Sequence, residues 1–201
     1  MRWTVVGPVA AVVVAALAAL TIAAVDDDEP RSAVATTTTA EPAPIEVASD
    51  APRRASLAEL ASASDVVVRA TVVATERGRS FGDPGGAASI ESRFVTLDVT
   101  EVLRGSMPAG TTLLVEEEGW SADGAPLIVD GLQPSAVDDD GIWFLVDVGD
   151  DDLPTFVVAS AQGRYLVHGD ALTGAAGDDP LVAELSALGA SGLAAAVRAL
   201  P

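Results

Sequence analysis

The residues best suited to chemistry in this chain are three consecutive carboxylates, Glu116, Glu117 and Glu118, followed closely by Trp120. In a strand, alternation puts Glu116 and Glu118 on one face. Two carboxyls flanking a cleft, one with a raised pKa, are what glycoside hydrolysis requires. The indole of Trp120 offers a flat surface for a ligand or sugar. Glu116, Glu118 and Trp120 are therefore the candidate ligand contacts, and a solvated strand end is the plainer reading of the carboxylates. His168 is the one histidine in the chain. A Ser-His-Asp triad would have to use it as base, yet no G-x-S-x-G elbow accompanies it, and beside Gly169-Asp170 it reads as a solvated turn residue. Two aspartate runs, 138–140 and 150–152, supply the oxygen ligands that Ca²⁺ prefers. They lack EF-hand spacing and sit at opposite ends of one predicted strand, which suits charged turns better than a shared ion. No catalytic, cofactor-binding or metal-ligating residue is assigned, and no cofactor is expected.

Composition excludes more than it proposes. The 201 residues contain no Cys and no Lys, and all 11 basic residues are arginine, against 30 acidic residues and a net charge of −19. Covalent catalysis by Cys or Lys, Ser–Lys dyads, thiolate zinc sites and disulfides are all ruled out. With one histidine, multi-histidine metal sites are ruled out too. No G-x-G-x-x-G or Walker A loop is present, so no nucleotide is expected. The acidity argues against nucleic acid and against anionic lipid headgroups as partners, and it favours solubility.

The elements that must position these residues are mostly strands. Residues 65–75, DVVVRATVVAT, form a β-branched run. A loop is expected over the glycine-rich 76–89. In 90–103, Val95, Leu97 and Val99 alternate with Thr96, Asp98 and Thr100, the period of a half-buried strand. TTLLVEEE (111–118) follows as a third strand, and a short one is suggested at 126–129. GIWFLVDV (141–148) is continuously apolar and reads as a central strand with Trp143 in the core. TFVVAS (155–160) and GRYLVH (163–168) suggest a final hairpin around Ala161-Gln162. Ser56 and Glu59 fit a capping box that opens a short helix. Asp179-Pro180 reads as an N-cap followed by proline at the first helical position. Gly189 would end that helix and Ser191 would cap a second. The expected fold is mainly β: a small five- or six-stranded OB-like barrel or sandwich, with an N-terminal apolar helix and one or two short C-terminal helices.

The N-terminal segment decides the compartment. Trp3 to Val25 carries no charge, enough for a helix to span about 30 Å of hydrocarbon. Arg2 precedes it and Asp26–Glu29 follow, so the positive-inside rule leaves the N-terminus in the cytoplasm and the rest outside. Residues 1–25 are thus a signal anchor, giving a single-pass membrane protein, or a signal peptide, giving a secreted one; without Cys the chain is no lipoprotein. Residues 26–54, rich in Thr, Ala and Pro, read as a disordered tether. A barrel-like domain is expected over 55–170 and a helical segment over 171–201.

The succession SLAELASASDVVVRATVV, FVTLDVTEVLRG, GIWFLV and AQGRYLV resembles bacterial exported proteins of unknown function. It is also similar, over about residues 56–168, to the OB-like barrel of netrin and metalloproteinase-inhibitor modules, without their disulfides. The resemblance implies a fold and carries over no functional residue. The expected function is a non-enzymatic extracytoplasmic binding module of the cell envelope, its partner an envelope protein or glycan. The alternatives are a hydrolase using carboxylates or His168, and a Ca²⁺-dependent envelope domain.

Overall fold

A computed structural model describes residues 42–83, 86, 89–108, 110–149 and 155–201. The apolar segment, most of the expected tether and Asp150–Asp152 lie outside the described residues. The elements run β1 (Ile45–Val47), α1 (Leu57–Ser62), β2 (Val66–Phe81), β3 (Ile90–Arg104), β4 (Thr112–Ser121), β5 (Leu127–Val129), β6 (Asp140–Asp147), β7 (Phe156–Val158), β8 (Arg164–His168), β9 (Ala171–Gly174), α2 (Pro180–Ser186) and α3 (Gly189–Arg198).

Five strands close a barrel in the order β2-β3-β4-β7-β6, with β6 returning to pair β2 from Leu145↔Val66 to Asp140↔Thr71. The seam between β4 and β7 is parallel and consists of one pair, Val115↔Phe156. Alternation fills the inside with Val68, Ala70, Val72, Val95, Leu97, Leu113, Val115, Trp143 and Leu145. The intervening residues of β2 and β6, Val67, Ile142 and Phe144, point outward into a second core. There they meet Leu60 of α1, Leu181 and Leu185 of α2, and Leu193 and Val197 of α3. A strand buried on both faces needs apolar residues at every position, which is why GIWFLV shows no alternation. Each such side chain contributes about 1.5–3 kcal/mol by leaving water.

The helix starts follow local chemistry. The Glu59 N–H donates to Ser56 Oγ at 3.2 Å, and the Glu59 carboxylate reaches back to the Ala55 N–H at 2.9 Å. Asp179 accepts from the N–H groups of Leu181 and Val182 at 2.9 and 3.3 Å, with Pro180 next to it. Ser191 does not cap α3. Its own N–H donates to Asp170 Oδ1 at 2.9 Å, so the cap comes from the β8–β9 turn. Gly189, at φ +69°, opens α3 rather than ending α2, and a Cβ there would stand 2.9 Å from the Asp170 carbonyl oxygen.

Three further expectations are corrected. Residues 76–81 are not loop but the outer half of β2, paired from Glu76↔Phe94 to Phe81↔Ile90. That stretch is the outermost of three strands, since the same β3 residues also pair β4, and its mostly polar, exposed side chains give no one-sided apolar pattern; the cross-strand ion pair Arg77–Glu91 helps to hold it. Residues 155–160 and 163–168 do not form a hairpin. β7 and β8 lie end to end along one edge of β6, interrupted where Ala159 and Gly163 both bond to Phe144. The final hairpin is β8–β9, turning at Gly169. The tether is not unstructured through residue 54. β1 pairs in parallel with β5, the Arg54 N–H donates to Gln162 Oε1 at 2.6 Å, and Arg53 pairs with Asp179 at 3.0 Å. This strap has few apolar residues, and partners 80 or more positions away hold it in place.

Candidate functional site

β4 presents its three glutamates to different surroundings. Leu113, Val115 and Glu117 share the inward phase, so Glu116 and Glu118 face outward. The ladder to β3 slips between Glu91 and Ser92, which pair Trp120 and Glu118 respectively, so Gly119 is an extra residue, a β-bulge. A Cβ at Gly119 would lie 2.6 Å from the Glu91 carbonyl oxygen, which is why glycine stands there. The bulge takes Trp120 away from the Glu116–Glu118 face. The guanidinium groups of Arg77 and Arg93 each lie 4.4 Å from its ring centroid. Cation–π attraction therefore already engages the indole. The alternation that places Glu116 and Glu118 together holds, while their expected company with Trp120 does not.

A groove of about 540 Å³ runs over the outward face of β4. Glu116, Glu118 and Ser92 line its base, Phe81, Ile90 and Val158 give it apolar walls, and Asp130 and Ser49 close one side. Glu116 is fully engaged: it accepts from Arg79 Nε at 3.1 Å and from Ser92 Oγ at 2.6 Å, and pairs with the Arg79 guanidinium. Asp130, held at φ +51° after β5, accepts the Ser49 N–H at 3.0 Å and the Ser49 hydroxyl. Glu118 has no ion-pair partner among the described residues. Burial pushes its carboxyl above the usual carboxylate range; the charges of Glu117, Asp130 and Glu116 push the same way, and its own backbone N–H opposes them. An acid whose folded pKa lies above its unfolded one destabilises the fold whenever it is ionised in both states. Glu118→Gln is accordingly expected to raise the melting temperature at pH 7. The advantage should shrink as pH falls through the raised folded value and vanish below the unfolded one. Thermal melts of both proteins from pH 4 to 8 check this; a Gln variant less stable at pH 7 would contradict it.

Glu117, on the inward side, belongs to a buried polar cluster that the sequence does not announce. Its carboxylate accepts from Arg164 at 2.8 Å, from Ser135 Oγ at 2.6 Å and from the Ser135 N–H at 3.2 Å. Arg164 also donates to the Gln133 carbonyl oxygen, and its guanidinium lies 5.4 Å from the Trp143 ring centroid. Arg93 reaches the Ser135 carbonyl oxygen at 3.3 Å. Burial lowers its pKa, with Arg164 and Arg77 acting the same way and Glu117 against them. This cluster packs beside Trp143 of the barrel interior. A charged residue at an inward strand position, Arg164 next to Tyr165, is the available sequence signal for it.

The other candidates fall elsewhere. His168 is exposed on the β8–β9 turn and does not line the groove. Trp143 is fully buried in the barrel, as expected. Asp140 pairs with Arg69 at 2.7 Å, and Asp139 accepts the Ala136 N–H at 2.9 Å within a turn. Among the described residues no group of three or more His, Asp or Glu side chains is placed to hold a metal ion. Asp150–Asp152 lie outside them. Also among these residues, no single helix is long and apolar enough to cross a membrane. No protein-family model matches this chain, and no curated protein matches it either.

Proposed function

We propose that this chain is a non-enzymatic binding module of the bacterial cell envelope, with its barrel outside the cytoplasm and Trp3–Val25 as the exporting segment. The observation that carries the reading is the groove over β4: an apolar-walled recess on a closed barrel, with carboxylates at its base. Concave, partly apolar sites with a few placed polar groups are where proteins bind ligands. The closed five-stranded barrel with C-terminal helices supports the likeness to OB-like exported modules. The hydrolase reading has one observation in its favour, the raised pKa of Glu118 beside Glu116. Against it, Arg79 and Ser92 already occupy the Glu116 carboxylate, which leaves that group poorly placed as base or nucleophile.

Two measurements on the purified full chain decide between these. Immobilised protein should retain an envelope component that a Phe81→Ala variant retains poorly, and a broad hydrolase screen should show no turnover. Turnover that disappears in Glu116→Gln or His168→Ala would overturn the non-enzymatic reading.

A further inference from the structure

The groove contains more negative charge than its own surroundings balance. Arg79 compensates Glu116, but the ion pairs among the described residues supply no cation to Glu118 or to Asp130. Glu118 and Asp130 line the same groove. Phe81, 44% exposed, and the half-buried Ile90, Val157 and Val158 add apolar surface around them. β4 also runs on past its seam with β7. From Glu116 to Gly119 it pairs with β3 on one side, while among the described residues no ladder partner stands on the other, since β7 meets it only at Val115.

From this geometry we propose that the groove takes an extended protein segment presenting a lysine or arginine between apolar side chains, its cation held by Glu118 and Asp130. The inference rests on the reading of the groove as the binding surface and names the chemistry of its occupant. A basic side chain matches the walls as well as the base, because its methylene stem lies on apolar surface while its head reaches the carboxylates. Alternation along an extended segment turns an apolar–basic–apolar face to the groove. A Ca²⁺ ion, which takes six to eight oxygens, fits two carboxylates and an apolar wall poorly. The net charge of −19 adds long-range attraction for a basic partner.

The test is fluorescence anisotropy on the full chain with a labelled peptide, Ile-Thr-Lys-Thr-Ile, which places Ile, Lys and Ile on one face. The same peptide with Glu for Lys, and lysine amide alone, serve as comparisons. The Lys peptide should bind and the Glu peptide should not. Glu118→Gln should weaken binding roughly tenfold, the size of a lost charge-assisted contact. Asp130→Asn, which tolerates the left-handed backbone, should weaken it in the same direction. Phe81→Ala should weaken the peptide and leave lysine amide unchanged. Equal binding of the Lys and Glu peptides would overturn the proposal, as would an unchanged affinity in Glu118→Gln or lysine amide binding as tightly as the peptide. Melting curves of each variant separate lost binding from lost folding. If envelope capture depends on Phe81 while the Lys peptide does not bind, this inference fails and the binding-module reading stands. If capture fails too, both fall.

Discussion

Glu117→Ala is expected to lower the stability of the domain by about 3–5 kcal/mol, because it strands a buried guanidinium. The Arg164 side chain is 0% exposed and that of Glu117 4%, so water cannot replace the lost carboxylate. The Ser135 hydroxyl and N–H would lose their acceptor in the same step. Urea denaturation followed by tryptophan fluorescence reads the loss as a lower midpoint with an unchanged slope. The double variant Glu117→Leu/Arg164→Met should recover most of it, since removing both charges also removes their desolvation cost. A single-variant cost below about 1 kcal/mol, the scale of an exposed pair, would mean that the cluster is solvated.

Trp143→Ala is expected to cost about 3–5 kcal/mol, the range for emptying an aromatic site in a packed core. Trp143 sits at 0% exposure between β2 and β8, opposite Val68 and Arg164 in the two ladders. Its removal would leave a cavity against Val68 and take away the surface on which Arg164 packs. Thermal melting of the variant checks it, and a melting temperature within a degree of the parent would show that the site collapses without cost. Trp120→Ala should do far less, because its contact with Arg77 and with Arg93 is of the order of 0.5–1 kcal/mol each at an exposed site. The comparison separates a tryptophan that builds the barrel from one that decorates its end.

How much of this was legible in the sequence depended on how local the signal is. The alternation of Val95, Leu97 and Val99 and the unbroken apolar run of GIWFLV reported one-face and two-face burial correctly, because burial acts residue by residue. The Ser56–Glu59 box and the Asp179-Pro180 start were legible for the same reason, since each cap bonds to amides two to four residues away. Ser191 misled because the α3 amides take an acceptor from Asp170, 21 positions earlier. Likewise Glu76–Phe81 resembles a loop until its partner strand is known, since this edge stretch runs beyond the pairing with β6 and most of its side chains stay exposed.

The groove divides along the same line. Composition alone sets the chemistry available: carboxylates, arginines and aromatics, with no lysine and no thiol. Residue order adds that Glu116 and Glu118 share a face, which follows from strand geometry alone. What those groups meet depends on contacts made across the folded chain. Barrel closure turned Glu117 inward onto Arg164, 47 residues away, and the bulge at Gly119 moved Trp120 off the carboxylate face. The strap brought Ser49 to Asp130, 81 residues apart, and both line the groove that holds Glu118. Strand alternation is a property of neighbouring residues, whereas register, bulge and strap position depend on partners far along the chain.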